Sequence, residues 1–288
     1  MDNLVSIYIP TKNRLALLQR AVHSVLAQTH RPLELIIVSD GSTDGTCDYV
    51  RSLQTDVSVQ LIHNPQSVGA CAARNQALQA ARGQFITGLD DDDIFLPHRI
   101  SRFLAEWRRR EQAGERFSCL FDRRIFDHGH RVILGNMAAS VSAEQLLADN
   151  AIGNQIFTTP ERMRAAGGFD PAMPAWQDWD MWVRLLQQDG PAYNIAANSY
   201  IMDVSHEFER ITLKSSDKIV QAARLFYRKH GANRHQMLGI LASLMAYEQM
   251  RMSLRDLCQL IFSGDYSGEA LRQLRRRRFR WSWTSAIG

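Results

Sequence analysis

Cysteine is scarce in this chain: four in 288 residues, Cys47, Cys71, Cys119 and Cys258, none close to another in sequence. No CxxC pair and no Cys/His ligand spacing occurs. That excludes a zinc-ribbon or dithiol redox function and a fold built on disulfides. Long apolar runs are also missing, since none approaches the ~20 residues of a membrane span. The opening MDNLVSIYIP has no apolar stretch of signal-peptide length. Free thiols and no leader predict a cytoplasmic protein, with the inner membrane face as its nearest surface. A GxxxxGK[ST] loop is absent, which excludes a phosphate-loop NTPase. Internal repeats are absent too.

What is present is an uneven charge. The formal net charge is +4, but from Tyr200 onward 15 Lys and Arg face 8 Asp and Glu. The first two-thirds is mildly acidic and the tail basic, so the tail seeks an anionic partner. Length and apolar content suffice for one large α/β domain or two smaller ones.

Apolar runs alternate with helical periodicity along the first half. Strands are expected at Leu4–Ile9 (ending at Pro10), Leu33–Ser39, Val57–His63 and Phe85–Leu89. Helices are expected at Arg14–Gln28, Thr46–Leu53, Ala70–Ala81 and Leu96–Arg110. The alternation predicts right-handed crossovers and a mainly parallel sheet covered on both faces. Farther on, Phe117–Phe126 and Arg131–Leu134 read as a hairpin turning at Asp127–Gly129. Gln155–Thr159 and Tyr200–Val204 read as strands, Glu161–Ala166 and Trp179–Gln188 as helices. After Ser216 only helices are expected: Asp217–Lys229, His235–Met252, Leu254–Phe262 and Glu269–Arg278.

Four segments carry chemistry, each where a strand gives way to a loop. Ligands of open parallel sheets bind at the carboxyl ends of strands. The first is Pro10-Thr11-Lys12-Asn13-Arg14, where Asn13 suits a helix cap. The second is Ser39-Asp40-Gly41-Ser42-Thr43-Asp44. There Asp40 can accept from a nucleobase imide or a ribose hydroxyl, and Gly41 lets the backbone approach a flat ligand. The third is Leu89 followed by Asp90, Asp91, Asp92 and Asp93. Four adjacent carboxylates at a buried strand end require a cation, and hard oxygens select Mg²⁺ or Mn²⁺. The fourth is Trp176-Gln177-Asp178-Trp179-Asp180. Aromatic faces at Trp176 and Trp179, with Gln177 between, suit an acceptor sugar, while Trp182 and one of Trp176 or Trp179 read as core. Their exclusion of water raises the pKa of Asp178 toward that of a general base.

The ordered set VSIYIPTKNR, ELIIVSDGSTDGT, NPQSVGACAARNQAL, GQFITGLDDDDIFLP and GGFDPAMPAWQDWDMWVRLL resembles glycosyltransferase family 2, over about Leu4 to Val204. The resemblance implies a GT-A fold: a Rossmann-like, mainly parallel α/β sheet flanked by helices. Residues 1–115 would form the nucleotide-sugar half and residues 116–205 the acceptor half. A helical region, 206–288, would follow. It implies a UDP-sugar donor and a divalent metal, Mn²⁺ or Mg²⁺. By that likeness Pro10, Lys12 and Asp40 line the nucleotide pocket, and the segment around Gly69, Arg74 and Asn75 closes over base and ribose. Asp90 and Asp92 match the two aspartates of a DXD motif, with Asp92 the direct metal ligand and Asp91 toward ribose or sugar. Asp178 matches the catalytic base, and His206 a further metal or diphosphate contact. The family usually has Glu where Gln177 stands, and a second acidic residue where Ser39 stands.

The implied reaction is inverting transfer to a hydroxyl of a glycan or lipid-linked acceptor, as in surface polysaccharide or lipopolysaccharide synthesis. Arg210 or Lys214 would add charge at the diphosphate. The residues leave two alternatives open. A metal-dependent nucleotidyltransferase shares the carboxylate cluster, although TKNRLALL lacks its glycines; a non-catalytic sugar-binding relative shares the fold. No nucleic-acid recognition motif accompanies the arginines. In the tail, the stretch from Arg272 to Trp283 interleaves arginine with Leu274, Phe279 and Trp281, a composition suited to an anionic membrane interface. We expect the full chain to float with anionic liposomes, and a chain cut after Glu269 to stay in the dense fraction. Equal flotation of the two would remove the tail as the anchor.

Overall fold

The computed structural model describes residues 3–135, 137–205 and 216–231, together with 233 and 236. The chain divides into two compact units, Met1–Leu146 with Ala151–Phe208, and Leu147–Asn150 with Glu209–Gly288.

The first unit begins with β1 (Val5–Thr11), α1 (Leu15–Leu26), β2 (Leu33–Asp40), α2 (Thr46–Ser52), β3 (Ser58–Asn64), α3 (Ala70–Ala80) and β4 (Phe85–Gly88). It continues through β5 (Ile94–Phe95), α4 (Arg99–Gln112), β6 (Cys119–Phe121), β7 (Arg124–Asp127), β8 (Val132–Leu134), β9 (Ser140–Val141) and α5 (Ala143–Leu146). It ends with β10 (Phe157–Thr158), α6 (Pro160–Ala165), α7 (Gln177–Asp189), β11 (Ala192–Asn194) and β12 (Tyr200–Asp203). In the second unit the described helix is α8 (Ser216–His230), which buries Ile219, Ala222, Ala223 and Phe226 at helical spacing. The helices expected beyond it lie outside the described residues, apart from Gln236. Among the described residues no helix is long and apolar enough to cross a membrane.

The continuous apolar runs become strands buried on both faces. All eight residues of β2 and all four of β4 are buried. β3, at the sheet edge, instead exposes Ser58, Gln60 and His63. One eight-stranded sheet runs β3-β2-β1-β4-β10-β6-β11-β9, and its first four strands are parallel. β10 enters antiparallel between β4 and β6. A second sheet, β5-β12-β7-β8, was not foreseen. It explains why the expected hairpin fails in its first half. Cys119–Phe121 joins the main sheet, and only β7 turns back onto β8. The short strands β5, β9 and β11 carry too few residues to show a period.

β1 runs past Pro10, where the sequence predicted its end. Tyr8 points its carbonyl at β4, accepting from Leu89 N at 3.0 Å, so Pro10 two residues on turns its nitrogen the same way. β4 has ended at Gly88, so no ladder bond is lost. On the other side β1 stays in register with β2 to Thr11 opposite Ser39.

Aromatic packing closes the core over α4. Phe157 stacks on Phe85 and on Phe103 at 5.1 Å each, and Trp107 meets Phe117 edge-on at 4.7 Å. Two buried carboxylates, Asp122 and Glu34, anchor ionic clusters. Arg99 stands among the rings of Phe95, Phe103 and Tyr200 and faces Asp122 at 3.5 Å. Asp122 in turn accepts from the backbone of Ala197, Asn198 and Ser199. Burial draws the Arg99 pKa down to about 10, against the pull of Asp122.

Glu34 is the second cluster. In a strand otherwise almost wholly apolar, its carboxylate accepts from Ser6 Oγ (2.5 Å), Arg82 N (2.6 Å), Arg82 Nε (3.0 Å) and Gly83 N (3.1 Å). Burial pushes its carboxyl up, but the hydrogen bonds from Ser6 and Arg82 outweigh burial and hold it below the ordinary range. Because the folded value is depressed, the stabilisation is present at neutral pH and lost as pH falls through it. Glu34→Gln is expected to lower unfolding free energy at pH 7 by roughly 1–3 kcal/mol. In urea titrations, the gap between the two proteins should shrink as pH drops below the ordinary glutamate range (~4.3). A gap independent of pH would rule out the charged network.

Candidate active site

The loops after β1 and β2 are stapled to each other. Asn13, at φ 52°, accepts from Thr43 N through Oδ1 at 2.8 Å and donates its own N–H to Ser42 Oγ at 3.0 Å. The cap expected of Asn13 comes instead from the neighbouring loop. Asp44 accepts from Leu15 N (2.9 Å) at the start of α1 and from Thr46 N (3.2 Å) at the start of α2. One carboxylate thus serves two helix starts and fixes both loops at the sheet's carboxyl end.

Asp40 organises a third loop. Its Oδ1 accepts from Val68 N (2.7 Å) and Asn64 Nδ2 (3.2 Å), and its Oδ2 from Ser67 Oγ (2.6 Å) and Gly69 N (3.0 Å). Burial alone would raise its carboxyl; these bonds hold it below the usual value. A carboxylate has about four acceptor positions, so Asp40 is filled by the protein and fixes residues 67–69. Gly41 is required here. Its φ is +77°, and a Cβ would stand 2.9 Å from Ser67 N. Gly69 directly precedes α3 at φ +91°. Pro10 is half-buried at the end of β1, and Lys12 is exposed just beyond it.

The acidic quartet follows β4, and each carboxylate meets different donors. Asp90 accepts from Arg74 Nη2 (3.1 Å), Gln155 Nε2 (3.1 Å) and Asn154 Nδ2 (2.9 Å). Asp91, expected to approach ribose or sugar, is buried instead and is held by Thr11 Oγ1 (2.7 Å) and Arg14 Nη1 (3.1 Å). Burial raises its pKa to about 6, against the pull of Thr11 and Arg14. Asp92 meets the same Arg14 nitrogen at 3.2 Å. Asp93 is buried beneath them, bonded by the Tyr200 hydroxyl at 2.6 Å and by Asp203 N at 3.2 Å. Burial first, and then the charges of Asp90 and Asp92, lift Asp93 well above the carboxylate range. The repulsion expected among the four is therefore met by arginines and amides at Asp90, Asp91 and Asp92 and by the Tyr200 hydroxyl and the Asp203 N–H at Asp93.

Asp178 lies on the first turn of α7 and shares its surroundings with Asp90. Arg74 stands among Asp90, Tyr8 and Asp178, each close enough to act on its charge. Burial opposes that charge and the three neighbours together overcome the opposition. The Asp178 carboxyl is raised by burial and by Asp90, with Trp179 N–H and Arg74 pulling the other way. Residues 90 and 178, far apart in sequence, are thus brought to one place. Gly88 makes room there, since a Cβ would meet the Tyr8 hydroxyl at 2.6 Å and Gln155 Oε1 closer still.

Trp182 is buried as expected, but both Trp176 and Trp179 are buried where one was expected to be. Trp179 is 2% exposed, and its indole donates to Leu146 O at 2.6 Å. Trp176, 7% exposed, packs against it at 4.7 Å between ring centroids. Neither ring has an open face for a sugar of the kind predicted, because both are consumed in seating the start of α7. Trp176 takes φ 59°, a left-handed backbone that is costly for a bulky residue, so its ring packing must hold it there. Gln177 remains half-exposed beside Asp178. Asn75 is likewise structural, exchanging bonds with the Phe169 backbone at 2.8 Å both ways. His206, Arg210 and Lys214 lie outside the described residues.

Tyr8, Arg14, Asn154 and Gln155 belong to the site and were not singled out by sequence. The signal for Arg14 was its place directly after β1; the other three carried none, since two lie in strand-like apolar runs and Asn154 in an irregular stretch. Among the described residues no three His, Cys, Asp or Glu side chains converge as a complete metal-ligand set. The donor chemistry nevertheless fits a hard divalent ion that brings its own phosphate ligands. Asp90 and Asp92 are carboxylates two apart on one loop, with side chains 23% and 14% exposed.

Residues 6–160 match the family model described as Glycosyl transferase family 2. The chain is 36% identical over 230 residues to WcaA of Escherichia coli (strain K12), a glycosyl transferase named for colanic acid biosynthesis; the match covers 79% of this chain and 81% of that one. It is 30% identical over 187 residues to the chondroitin synthase of Pasteurella multocida (strain Pm70), over 64% of this chain and 19% of the synthase. Among solved structures, S. aureus TarS 1–349 in complex with UDP-GlcNAc superposes with a TM-score of 0.69 at 16% identity, covering 94% of this chain and 80% of that 1–349 chain. The mannosyltransferase PcManGT of Pyrobaculum calidifontis, in complex with GDP-Man and Mn²⁺, gives 0.59 at 18% identity, covering 98% and 83%. At such identities the structural likeness carries the fold alone, which is GT-A. With the family model spanning more than half of its length, this chain belongs to glycosyl transferase family 2 and is a glycosyltransferase.

Proposed function

We propose that this glycosyltransferase moves a sugar from a UDP-sugar to a hydroxyl of a glycan or lipid-linked acceptor, with inversion at the anomeric carbon. The observation that carries the reading is that Asp178 and Asp90 both act on the charge of Arg74, which bonds Asp90 at 3.1 Å. Residues 1–115 supply the donor side and residues 116–205 the acceptor side. UDP is favoured because TarS, of the same fold, is in complex with UDP-GlcNAc. A glycan acceptor is favoured because WcaA and the chondroitin synthase are named for polysaccharides.

In this reading Asp178 removes the proton from the acceptor hydroxyl. Burial raises its pKa, which makes it a better base than an ordinary aspartate. The oxygen then attacks from the face opposite the leaving diphosphate, and that single displacement inverts the centre. Asn154, Gln155 and Arg74 hold the Asp90 carboxylate in one orientation. Asp90 and Asp92 would hold the divalent ion, which when bound supplies charge stabilisation for the departing diphosphate. Asp40 keeps residues 67–69 in place as one wall of the nucleotide pocket, with Pro10 and Lys12 at its rim.

Asp178→Asn is expected to cut kcat by roughly 10²- to 10⁴-fold while leaving UDP-sugar binding within about twofold by calorimetry. Parallel loss of both would remove Asp178 from the role of base. In the parent, kcat/KM should fall on the acid side, with an inflection above the ordinary aspartate value (~3.9). The donor is identified by a panel of nucleotide sugars with Mn²⁺ present or chelated. One UDP-sugar should raise the melting temperature and release UDP, and EDTA should abolish both responses. A response to the donor that survives chelation would contradict the metal assignment.

A further inference from the structure

The pairing of β2 with β3 sets Ser39 opposite His63, and the start of α2 brings Cys47 to both. The Cys47 sulfur stands 3.2 Å from His63 Nδ1 and 3.4 Å from Ser39 Oγ. Three separate elements therefore build this group, and none of its members takes part in the site around Asp90 and Asp178. Ser39 is fully buried, Cys47 is half-buried and His63 is exposed, so a small reagent can approach the sulfur from the imidazole side.

The three side chains together have the parts of an assisted nucleophile. A thiol has one proton to give. Given to His63 Nδ1, it leaves the Ser39 hydroxyl free to donate to the sulfur. The neutral imidazole then keeps its own proton on Nε2, toward solvent, and Nδ1 is the acceptor. When the proton crosses to the imidazole, the charge left on sulfur faces an imidazolium and a hydroxyl, both of which stabilise it. The other described thiols lack this setting. Cys71 and Cys119 are buried, and burial pushes their pKa up to about 11 and about 12, so neither presents a thiolate at neutral pH.

We propose that Cys47 is a modification site, at which the thiol exchanges with a small disulfide while His63 takes up its proton. The Cys47 sulfur attacks one sulfur of the reagent and a new S–S bond forms. The reagent's own S–S bond breaks, and its departing thiolate takes the proton from the imidazolium and leaves as a thiol. Cys47 is oxidised and one half of the reagent is reduced. The reverse attack by a free thiol restores Cys47. Nothing in the step depends on sugar transfer, so the inference stands apart from the proposed function.

The test incubates the folded full chain with glutathione disulfide and maps each cysteine peptide by mass. At pH 7 one glutathione should appear on Cys47 and none on Cys71 or Cys119, and dithiothreitol should remove it. His63→Gln should slow the adduct at Cys47 by about tenfold at pH 7, because a thiol without a base is only slightly ionised there. At alkaline pH, where thiols ionise unaided, the parent and His63→Gln should react at the same rate. Melting curves report whether each protein is folded, and His63→Ala repeats the comparison should the glutamine variant unfold. A folded parent that gains no adduct at Cys47, or gains its first at Cys71 or Cys119, overturns the site. Equal rates at pH 7, or a gap that persists at alkaline pH, overturn the role of His63 as the base.

Discussion

Four negative charges in sequence, fixed at the end of a buried strand, are the constraint to which the rest of the site answers. Each carboxylate of the quartet is met by a different part of the chain: Arg74 and the 154–155 amides at Asp90, Thr11 and Arg14 at Asp91 and Asp92, Tyr200 and the β12 backbone at Asp93. In a medium of low polarity, unpaired carboxylates this close would cost several kcal/mol each. The fold therefore gathers loops from its whole length around one short segment, and the same gathering brings Asp178 to Arg74.

The scaffold that makes this possible is itself made of shared carboxylates. Asp44 serves the starts of α1 and α2, and Asp40 takes four donors from the segment leading to α3. Neither acts alone on a ligand in the arrangement seen. Each fixes where the next loop stands at the carboxyl end of the sheet. Function is concentrated at strand ends because only there can loops distant in sequence share acceptors without crossing the core.

Legibility in the sequence followed from how each element is stabilised. β1, β2 and β4 were read within a residue or two, because strands buried on both faces must be continuous apolar runs. The quartet and Asp178 stood out because charge beside apolar or aromatic residues is expensive. The second sheet was invisible, since two- to four-residue strands have no period and are defined by partners far away. Asn154 looked like any loop residue, and Arg14 was marked only by its place in the segment after β1, for their meaning lies in what they touch. Trp179 misled for the opposite reason: an aromatic beside a candidate base suggested sugar stacking, whereas its ring and indole N–H are spent on holding the helix.

Pro10 has a consequence of its own. Past Tyr8 and Gly88 the backbone pairing of β1 with β4 stops, and the two segments are joined instead through side chains, Thr11 Oγ1 donating to Asp91 at 2.7 Å. Any other residue at position 10 would present a backbone N–H on that side with no strand to receive it. The proline nitrogen carries no proton, so the two strands separate without leaving an orphaned donor.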